Sequence, residues 1–509
     1  MKKSLMVFML FMFLAATGCS SQKEIKQVVE ATPAVISAQE PVPDSTAEQT
    51  TSTKTDLPAE LTYPIIDTAQ SKCYDNEKTV ACPDSTSSFF GQDAQYAGNS
   101  ATFQNNGDGT VTDLTTGLMW QQDPGEKMTY EQAKTENDSF SLAGYSDWRL
   151  PTIKELYSLI LFDGTDVSAC QGTCYVIPFI DSRYFNFSYG DESLGERIID
   201  SQFASSTKYV STTMNGNETL FGVNFADGRI KGYPTSKLFY FLHVRGNKDY
   251  GKNNLIENGD GTITDIATGL TWMQTDSGKA MDWQSALTYC ENLEGAGAAD
   301  WRLPNIKELH SIVDYSQSPA TTNHAAIDQS FQTSTILNEA GQSDYPFYWS
   351  STTHADFSGH GSFAAYISFG QALGYMNNAW MDVHGAGAQR SDPKNGDPSE
   401  YATGHGPQGD AVRIQNYARC VRGGTAAFVL SGTSSDSRPS ISIESSGLEP
   451  NQAISNGQPN TAPNTPPLSA IAACSTKTRN DVCEFSSPKG TINGTCQLIQ
   501  QNLACVPLP

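Results

Sequence analysis

The chain contains two copies of one set of motifs, and this internal repeat constrains its fold more than any other feature. Residues 106–120 read NGDGTVTDLTTGLMW and residues 258–272 read NGDGTITDIATGLTW, a separation of 152 residues. Residues 147–155 read DWRLPTIKE and residues 300–308 read DWRLPNIKE, a separation of 153 residues. Because this period is far longer than that of a solenoid unit, the sequence predicts two tandem globular domains.

Each repeat shows the signals of short strands around two helices. The NGDG and TG turns flank β-branched runs, which indicates a β-meander at the start of each repeat. Thr129 and Gln132 form a capping-box pattern ahead of a first helix, and Asp282 is the N-cap in the second repeat. A second helix is predicted to begin at Pro151 and at Pro304, because proline suits the first turn. Two helices among antiparallel strands predict an α+β domain.

The N-terminus has the pattern of an export signal. Two lysines, an apolar run and small residues precede Cys19, which resembles a bacterial lipobox. We expect Cys19 to carry a lipid that anchors the protein in a bacterial outer membrane, on its periplasmic or its outer face, because Ser20 rather than Asp follows the cysteine. Ordinary signal-peptidase cleavage, which would leave a free thiol at Cys19, is the alternative.

Composition divides the remaining chain into folded and unfolded parts. Ser, Thr, Pro and Glu-rich stretches with few aromatic residues cannot bury enough surface to fold. The predicted segments are a signal peptide 1–18, a lipid anchor with a flexible tether 19–65, a disulfide loop that leads in 66–100, the first repeat 101–250, the second repeat 251–425, a linker 426–468 and a four-cysteine module 469–509.

Cysteine usage predicts disulfides. Of the 11 cysteines, 10 remain after Cys19, an even number in an exported chain. Cys290 and Cys420 have Asn137 and His243 at the equivalent positions of the first repeat, so we expect the two cysteines to bond each other. A reactive thiol at Cys420 is the alternative. The predicted disulfide cysteines are Cys73, Cys82, Cys170, Cys174, Cys290, Cys420, Cys474, Cys483, Cys496 and Cys505. The first four are expected to pair locally, and the last four allow three connectivities.

The acidic residues of the NGDG motif are candidate metal ligands. Oxygen-bearing side chains alternate there, and alternating oxygens can bind calcium. The candidate ligands are Asp108, Asp113, Asp260 and Asp265. No bidentate carboxylate follows at the EF-hand distance, so a role in a hairpin turn is the stronger interpretation. Six of the seven histidines lie in the second repeat without a known zinc-ligand spacing.

Other shared residues favour a structural role. In DWR, Asp147 with Arg149 and Asp300 with Arg302 are interpreted as an ion pair or a backbone clamp beside the tryptophan. The Ser-Ser-Thr run that follows in each repeat indicates no nucleophile, since no histidine and acid recur with it.

The second repeat contains a long insertion that the first repeat lacks. Between Tyr375 and Tyr417 it runs about forty residues, rich in Gly, Pro and Asp, which predicts a loop that is either functional or disordered. The candidate ligand-binding residues in it are Asn377, Asn378, Trp380, Asp382, Asp392, Asn395, Asp397, Glu400 and Tyr401. The oxygens are suited to sugar or calcium, and the rings to stacking on a sugar.

The four motifs together resemble a known family. NGDGT-TD--TGL-W, DWRLP--KEL, YWSST and CVRG closely resemble the Lcl C-terminal domain family over residues 101–425. More loosely they resemble the formylglycine-generating enzyme superfamily. The resemblance implies an α+β fold with two tandem C-type-lectin-like domains, followed here by a small disulfide-rich C-terminal module. The best-known relative is a surface adhesin that binds sulfated glycans, but this chain has no collagen-like region.

Charge limits the ligands. The formal net charge of −23 argues against nucleic acid and makes sulfated polyanions poor ligands. Formylglycine-generating enzymes use a copper-binding cysteine pair, and the only candidates here, Cys290 and Cys420, are expected to be bonded. We therefore expect an adhesin-like surface binding protein rather than an enzyme, with a neutral or basic glycan or a protein as ligand. We expect it to require no cofactor, with calcium as the favoured ion and a zinc site among the histidines of the second repeat as the alternative. An oxidoreductase of the formylglycine-generating type and a structural envelope component are the alternatives.

Overall fold

The computed structural model describes residues 61–424, 427–428, 438–447, 473–474, 477–479, 481–487, 490–499 and 502–507. The predicted signal peptide, Cys19 and the tether up to residue 60 lie outside these residues. Among the described residues, no helix has the length and apolar character needed to cross a membrane.

Strands dominate and helices are few and short, so the fold is mostly antiparallel β-sheet with a small helical part. The helices are α1 (Tyr130–Asn137), α2 (Ile153–Tyr157), α3 (Trp283–Glu291), α4 (Ile306–Ser311) and α5 (Pro319–Thr322), with 3₁₀ turns at Asp93–Gln95, Glu192–Leu194 and Pro398–Tyr401. The strands up to the end of the first repeat are β1 (Cys73–Tyr74), β2 (Thr79–Val80), β3 (Tyr96–Ala97), β4 (Phe103–Asn105), β5 (Thr110–Asp113), β6 (Leu118–Gln121), β7 (Gly172–Val176), β8 (Gln202–Thr213), β9 (Asn217–Asn224), β10 (Arg229–Pro234) and β11 (Val244–Gly246). The strands of the second repeat are β12 (Leu255–Glu257), β13 (Thr262–Asp265), β14 (Leu270–Met273), β15 (Ile336–Leu337), β16 (Ser343–Asp344), β17 (Phe347–His354), β18 (Phe363–Ser368), β19 (Leu373–Met376), β20 (Ala379–Asp382), β21 (Gln389–Pro393) and β22 (Val421–Gly423). The later strands are β23 (Ala427–Phe428), β24 (Ile441–Ser445), β25 (Val482–Ser487), β26 (Gly490–Ile499) and β27 (Asn502–Pro507).

A six-stranded antiparallel sheet runs through both repeats in the order β17-β18-β21-β10-β9-β8. The first repeat contributes β8, β9 and β10, and the second contributes β17, β18 and β21. The halves meet where Ile230 of β10 lies opposite Gln389 of β21. The two repeats are therefore joined in one sheet, where β10 and β21 each give the other a partner for its edge.

Both faces of this sheet are covered. One face packs against α2 and α4, and a single core joins Phe221 and Ile230 of the first repeat to Ile306 and Ile367 of the second. The opposite face is covered by α1 in the first repeat and by α3 in the second, in two separate clusters. Each repeat adds a four-stranded sheet, β11-β6-β5-β4 and β12-β13-β14-β22, whose buried tryptophans Trp120 and Trp272 join the shared core.

The helix signals are largely confirmed. Thr129 and Gln132 form the capping box of α1, and the carboxylate of Asp282 accepts from the Ser285 N–H at the start of α3. The second helix of each repeat begins two residues after the proline, with Thr152 and Asn305 as N-caps. The side chains of Thr152 and Asn305 accept hydrogen bonds from backbone N–H groups of the first turn, which a proline side chain cannot do. Each helix therefore begins after this N-cap residue and not at the proline.

Two segments predicted to be unfolded are partly ordered. Tyr63, in the predicted tether, is 2% exposed and packs edge-on against Tyr250, with ring centroids 4.7 Å apart. Within the predicted linker, β24 pairs with β7, and Arg438 donates to the carbonyl oxygens of Pro178 and Ile180, at 2.6 Å each. Tertiary contacts therefore order chain that composition marks as polar and loop-like.

Candidate functional site

An arginine–glutamate pair lies at the centre of the DWRLP motif in each repeat. Arg149 forms a two-pronged bond to the Glu155 carboxylate at 2.7 and 2.5 Å. Arg302 binds Glu308 in the same way, at 2.6 Å for both contacts. The second pair is fully enclosed, whereas the Arg149 side chain is 27% exposed. One motif therefore builds the same local structure in two environments.

The aspartate of DWR does not pair with the arginine two residues later. Asp147 binds Arg245 at 2.7 Å, and Asp300 binds Arg422 at 2.6 Å. Both partners belong to the VRG strands, β11 and β22, which lie about a hundred residues further along the chain. The residues are structural, but pairing within the DWR triplet is wrong, because each arginine of the triplet is already bound to the glutamate six residues later.

The Ser-Ser-Thr runs support the second helices. The Thr207 hydroxyl accepts a hydrogen bond from the Ile153 N–H at 2.9 Å, and Thr352 accepts from Ile306 at 2.9 Å. These contacts satisfy N–H groups at the starts of α2 and α4, which have no partner within the helix. The hydroxyls thus have a structural function, in agreement with the interpretation that they are not nucleophiles.

Equivalent residues of the two repeats exchange contacts across an approximate two-fold axis. The Nζ of Lys154 donates to the carbonyl oxygen of Ser311 at 2.8 Å. The Nζ of Lys307 donates to the carbonyl oxygen of Ser158 at 3.0 Å. Each lysine lies 153 residues from its counterpart, and so does each serine. The two contacts are therefore reciprocal, which is the property of a symmetric interface.

The axis passes between Tyr157 and His310, which also occupy equivalent positions. Their rings lie 4.4 Å apart. The Nε2 of His310 and the hydroxyl of Tyr315 are 2.9 Å apart, and burial lowers the pKa of His310 well below its usual range. A neutral imidazole therefore packs on the axis, where it serves the contact between the repeats.

Beside this axis the molecule has a cleft of about 970 Å³. Its first wall is formed by residues 149–155 and 206–207 of the first repeat. The connector 248–257 forms the second wall, and residues 312–316 with 328–330 of the second repeat form the third. Clefts of this size between structural units are where ligands commonly bind. We therefore take this cleft as the candidate functional site.

The charges around the cleft balance, although the whole chain is strongly acidic. Its cationic side chains are Arg149, Lys154, Lys248 and Lys252, and its acidic side chains are Glu155, Glu257, Asp314 and Asp328. Burial lowers the pKa of Lys154 to about 8, while the charges of Asp265 and Asp314 oppose the shift. Its ammonium also donates to Asn253 Oδ1 at 2.8 Å, so Lys154 holds the connector to the first repeat.

The insertion of the second repeat is not a loop. Residues 377–410 include β20, β21 and a 3₁₀ turn, and β21 is an inner strand of the central sheet. Asp382 accepts from the hydroxyl of Tyr209 at 2.8 Å, and Asp392 accepts from the backbone N–H of Arg413 at 3.0 Å. Both carboxyls are buried, which raises the pKa of Asp382 to about 7 and of Asp392 to about 6. They stabilise the fold and are not accessible to a surface ligand.

The other predicted ligand residues are spread along the insertion. Asn377 and Asn378 form the tight turn of the β19–β20 hairpin, with φ of 53° and 61°. Trp380 packs on Tyr375 with ring centroids 5.3 Å apart, and the ring of Tyr401 lies beside His405 at 6.2 Å. The remaining three, Asn395, Asp397 and Glu400, are exposed. The structure does not gather the nine residues into one site.

The candidate metal ligands serve the hairpin turns. Asp108 accepts from the backbone N–H and the hydroxyl of Thr110, at 3.1 and 2.6 Å. Asp260 binds Thr262 in the same way, while Asp113 and Asp265 are buried behind the turns. Within the described segments, the only three side chains of His, Cys, Asp or Glu close enough to share an ion are disulfide cysteines. Calcium binding at these turns stays a prediction.

The predicted disulfides are present. The bonds are Cys73–Cys82, Cys170–Cys174, Cys290–Cys420, Cys474–Cys496 and Cys483–Cys505. The last two settle the connectivity that the sequence left open. In the first repeat, His243 takes the position equivalent to Cys420, and its ring stacks on that of Phe140 with centroids 3.8 Å apart. A ring contact is therefore present where the second repeat has a disulfide.

Sequence reasoning missed the cleft, although one signal of it was present. The shared motif has a lysine at the same position of both copies, Lys154 and Lys307. A lysine on a buried helix needs hydrogen-bond acceptors, and this requirement pointed to a contact between the repeats beside the cleft. The connector also lines the cleft, and nothing in its composition marks it. A comparison of what precedes each repeat, 66–100 against 248–257, would have shown that only one copy has a long leading segment.

Comparison with known proteins adds one finding. No curated protein matches the chain. The Lcl C-terminal domain family matches residues 109–245 and 261–384, which together make up about half of the chain and lie one within each repeat. The chain therefore belongs to the Lcl C-terminal domain family, of which it carries two tandem copies.

Proposed function

We propose that this protein is a lipid-anchored binding protein of the bacterial cell surface that takes its ligand in the cleft between the repeats. The size of the cleft, about 970 Å³, is the observation that carries the proposal. Membership of the Lcl C-terminal domain family is compatible with a surface protein. Balanced charge along the walls suits a neutral polar ligand, or a segment of a protein, better than a polyanion.

We further propose that each repeat is a C-type-lectin-like domain. Two helices on opposite faces of an antiparallel sheet, with the N- and C-terminal strands of the repeat in one small sheet, support this assignment. In the second repeat β12 and β22 belong to the same small sheet, and the Cys290–Cys420 bond links α3 to the residue before β22.

The location follows from the N-terminal sequence. Acylation at Cys19 would place the folded part on the outer membrane at the end of a tether of about forty residues. Mass spectrometry of the membrane-extracted protein is the test, and a Cys19→Ala variant should lose both the added lipid mass and the membrane association.

We infer binding rather than catalysis. The formylglycine-generating type of oxidation requires a free thiol at Cys420, and here Cys420 is bonded to Cys290. Counting thiols in the native soluble protein by alkylation and intact mass is the test. We expect no alkylated cysteine from Ser20 onward. One reactive thiol at Cys420 would favour the oxidoreductase.

The binding proposal is tested by filling the cleft. Ser316 is exposed on the wall formed by the second repeat, and its hydroxyl donates only to the turn carboxylate of Asp314. We expect Ser316→Trp to abolish binding of the soluble chain to host-cell surfaces, matrix proteins and arrayed glycans, measured with calcium and again with EDTA. Ser193 lies in the same kind of turn outside the cleft, so Ser193→Trp is the matched control. Equal binding by both variants would exclude the cleft, and no binding by the unaltered chain would favour an assembly role.

A further inference from the structure

The two repeats present one equivalent surface, which is covered in the second repeat and open in the first. We call it the motif face. It consists of Arg149, Thr152, Glu155 and Thr207 in the first repeat and of Arg302, Asn305, Glu308 and Thr352 in the second. The internal bonds of both copies are the same, so any difference between them comes from what lies on top.

The motif face of the second repeat is covered by residues 66–100, which we call the lead-in. The carboxylate of Asp93 accepts from the hydroxyl of Thr352 at 2.5 Å and from that of Thr68 at 2.8 Å. The ring of Tyr96 lies 5.3 Å from the guanidinium of Arg302. Both Thr352 and Arg302 are buried as a result. One acidic and one aromatic side chain, three residues apart, thus provide the side-chain contacts to this face.

The lead-in also binds the second repeat through main-chain groups. The side-chain amide of Gln70 donates to the carbonyl oxygen of Thr353 at 2.7 Å and accepts from its N–H at 2.8 Å. The carbonyl oxygen of Asp67 accepts from Lys307 at 3.2 Å. The motif face of the second repeat and the residues around it therefore bind polypeptide, because the lead-in of the same chain lies on them.

The motif face of the first repeat lines the cleft instead. Arg149 is 27% exposed where Arg302 is 5% exposed, and Thr152 is exposed where Asn305 is buried. The described chain offers this face no second lead-in, since only a short connector separates the end of β11 from the start of β12. Arg149, Thr152 and Thr207 therefore line an open cleft, whereas the Glu155 side chain stays buried.

We propose that the open motif face binds a segment of a partner protein that forms a 3₁₀ turn, as Asp93–Gln95 does, with an acidic residue followed, three residues later, by an aromatic one. The carboxylate accepts from the hydroxyl of Thr207, which already accepts from Ile153 and retains its proton for donation. The aromatic ring lies against Arg149, as Tyr96 does against Arg302. The inference rests on the proposed use of the cleft and narrows its ligand from glycan or protein to protein.

The test uses the lead-in as its own probe. A fluorescent peptide of residues 88–99, SFFGQDAQYAGN, is titrated with the soluble chain from Ser20 onward and followed by anisotropy. We expect saturable binding that weakens about tenfold or more when the peptide carries Asp93→Asn and Tyr96→Ala. Thr207→Val in the protein should weaken binding about tenfold, and Thr212→Val, on an exposed position of the same strand, should leave it unchanged.

Thr207→Val also removes a contact to α2, so the melting temperature is measured for each variant. Ser316→Trp is a second variant that should prevent peptide binding, because it fills the cleft without changing the contacts of α2. Peptide binding that survives both Thr207→Val and Ser316→Trp would overturn the inference, because the peptide would then be displacing the lead-in on the second repeat. No peptide binding, with surface binding still lost in Ser316→Trp, would overturn the peptide ligand and leave the cleft as the binding site. Surface binding that is intact in Ser316→Trp would reject the cleft itself.

Discussion

At the scale of single residues, the paired arginines of the shared motif differ in their access to water. The Arg302–Glu308 pair is enclosed at 5% exposure for each side chain, whereas Arg149 retains 27%. Removing one member of a buried pair leaves an uncompensated charge, but where the removed arginine was partly exposed, water can enter its place and solvate the glutamate that remains. The two repeats thus supply a matched experiment within one chain.

We expect Arg302→Met to lower the free energy of unfolding by about 3–5 kcal/mol, because Glu308 is left buried without its partner. Arg149→Met should cost about 1–2 kcal/mol, because part of that site is open to water. Urea unfolding followed by tryptophan fluorescence compares the two. Equal losses would show that solvent does not reach the first pair.

Asp93 provides a pH dependence. Burial raises its pKa from an ordinary value of 3.8 to about 7, with the charges of Asp67 and Glu308 acting in the same direction. The folded state therefore holds the proton more tightly than the unfolded chain does. The stability from this group is complete below about pH 4 and is lost as the pH rises to about 7.

Asp93→Asn cannot ionise, so we expect the variant to gain on the unaltered protein as the pH rises. The gain should be small at pH 4 and reach on the order of 4 kcal/mol at pH 8, because each unit of pKa difference is worth about 1.4 kcal/mol. Unfolding at both pH values measures it. A gain that does not change with pH would mean that Asp93 is ionised in the folded protein throughout.

The sequence was sufficient to predict the contacts of a residue where that residue and its partner are both present in one repeat and both absent from the other. Cys290 and Cys420 were paired correctly because the first repeat has neither. The partner of Asp147 was out of reach, since Arg245 lies 98 residues away and local spacing carries no information about it. The VRG arginine is present in both repeats, which indicated that it matters. Its presence alone did not show that the aspartate of DWR is its partner.

At the scale of elements, β21 is the strand that joins the repeats. Its sequence, QRSDP, has no apolar alternation and lies in a Gly, Pro and Asp-rich stretch, so propensity favours a loop. It becomes a strand because β18 and β10 offer backbone partners on both sides. Deleting 377–410 would therefore remove an inner strand, and any loss of binding would report loss of the fold.

A proline in β21 tests this role. Arg390 lies opposite Tyr366 of β18 in the central sheet. We expect Arg390→Pro to be less stable than Arg390→Ala by about 3 kcal/mol, because proline cannot donate to the ladder of an inner strand. The alanine variant controls for the lost charge. Equal melting temperatures for the two would mean that β21 contributes little to the sheet.

At the scale of the whole molecule, the sequence predicted two copies and the family match agrees, yet the copies are not independent bodies. The sequence of one repeat does not show which edge strand of its sheet will pair with the other repeat. That information lies in the pairing of β10 with β21 and in the reciprocal lysine contacts, which join residues about 150 positions apart.

Separating the repeats should therefore unfold them. We expect residues 61–250 expressed alone to show no cooperative thermal transition, because β10 would lose its neighbour and the shared core would be exposed. Co-expression with residues 251–447 should restore a soluble complex, detected by co-purification through a tag on one half. A sharp transition for the first half alone would contradict the shared core.

The reciprocal lysine contacts also bear on descent. An interface in which residue i meets j and j meets i is what two identical subunits form, and gene duplication can fuse such a homodimer into one chain. Fusion ends the requirement that both halves stay alike, so one half could acquire a permanent internal ligand while the other kept its groove. A single-repeat protein with this interface would be expected to dimerise through the equivalent of α2, the helix that carries Lys154 and ends next to Ser158, and its mass in solution would record the ancestral state.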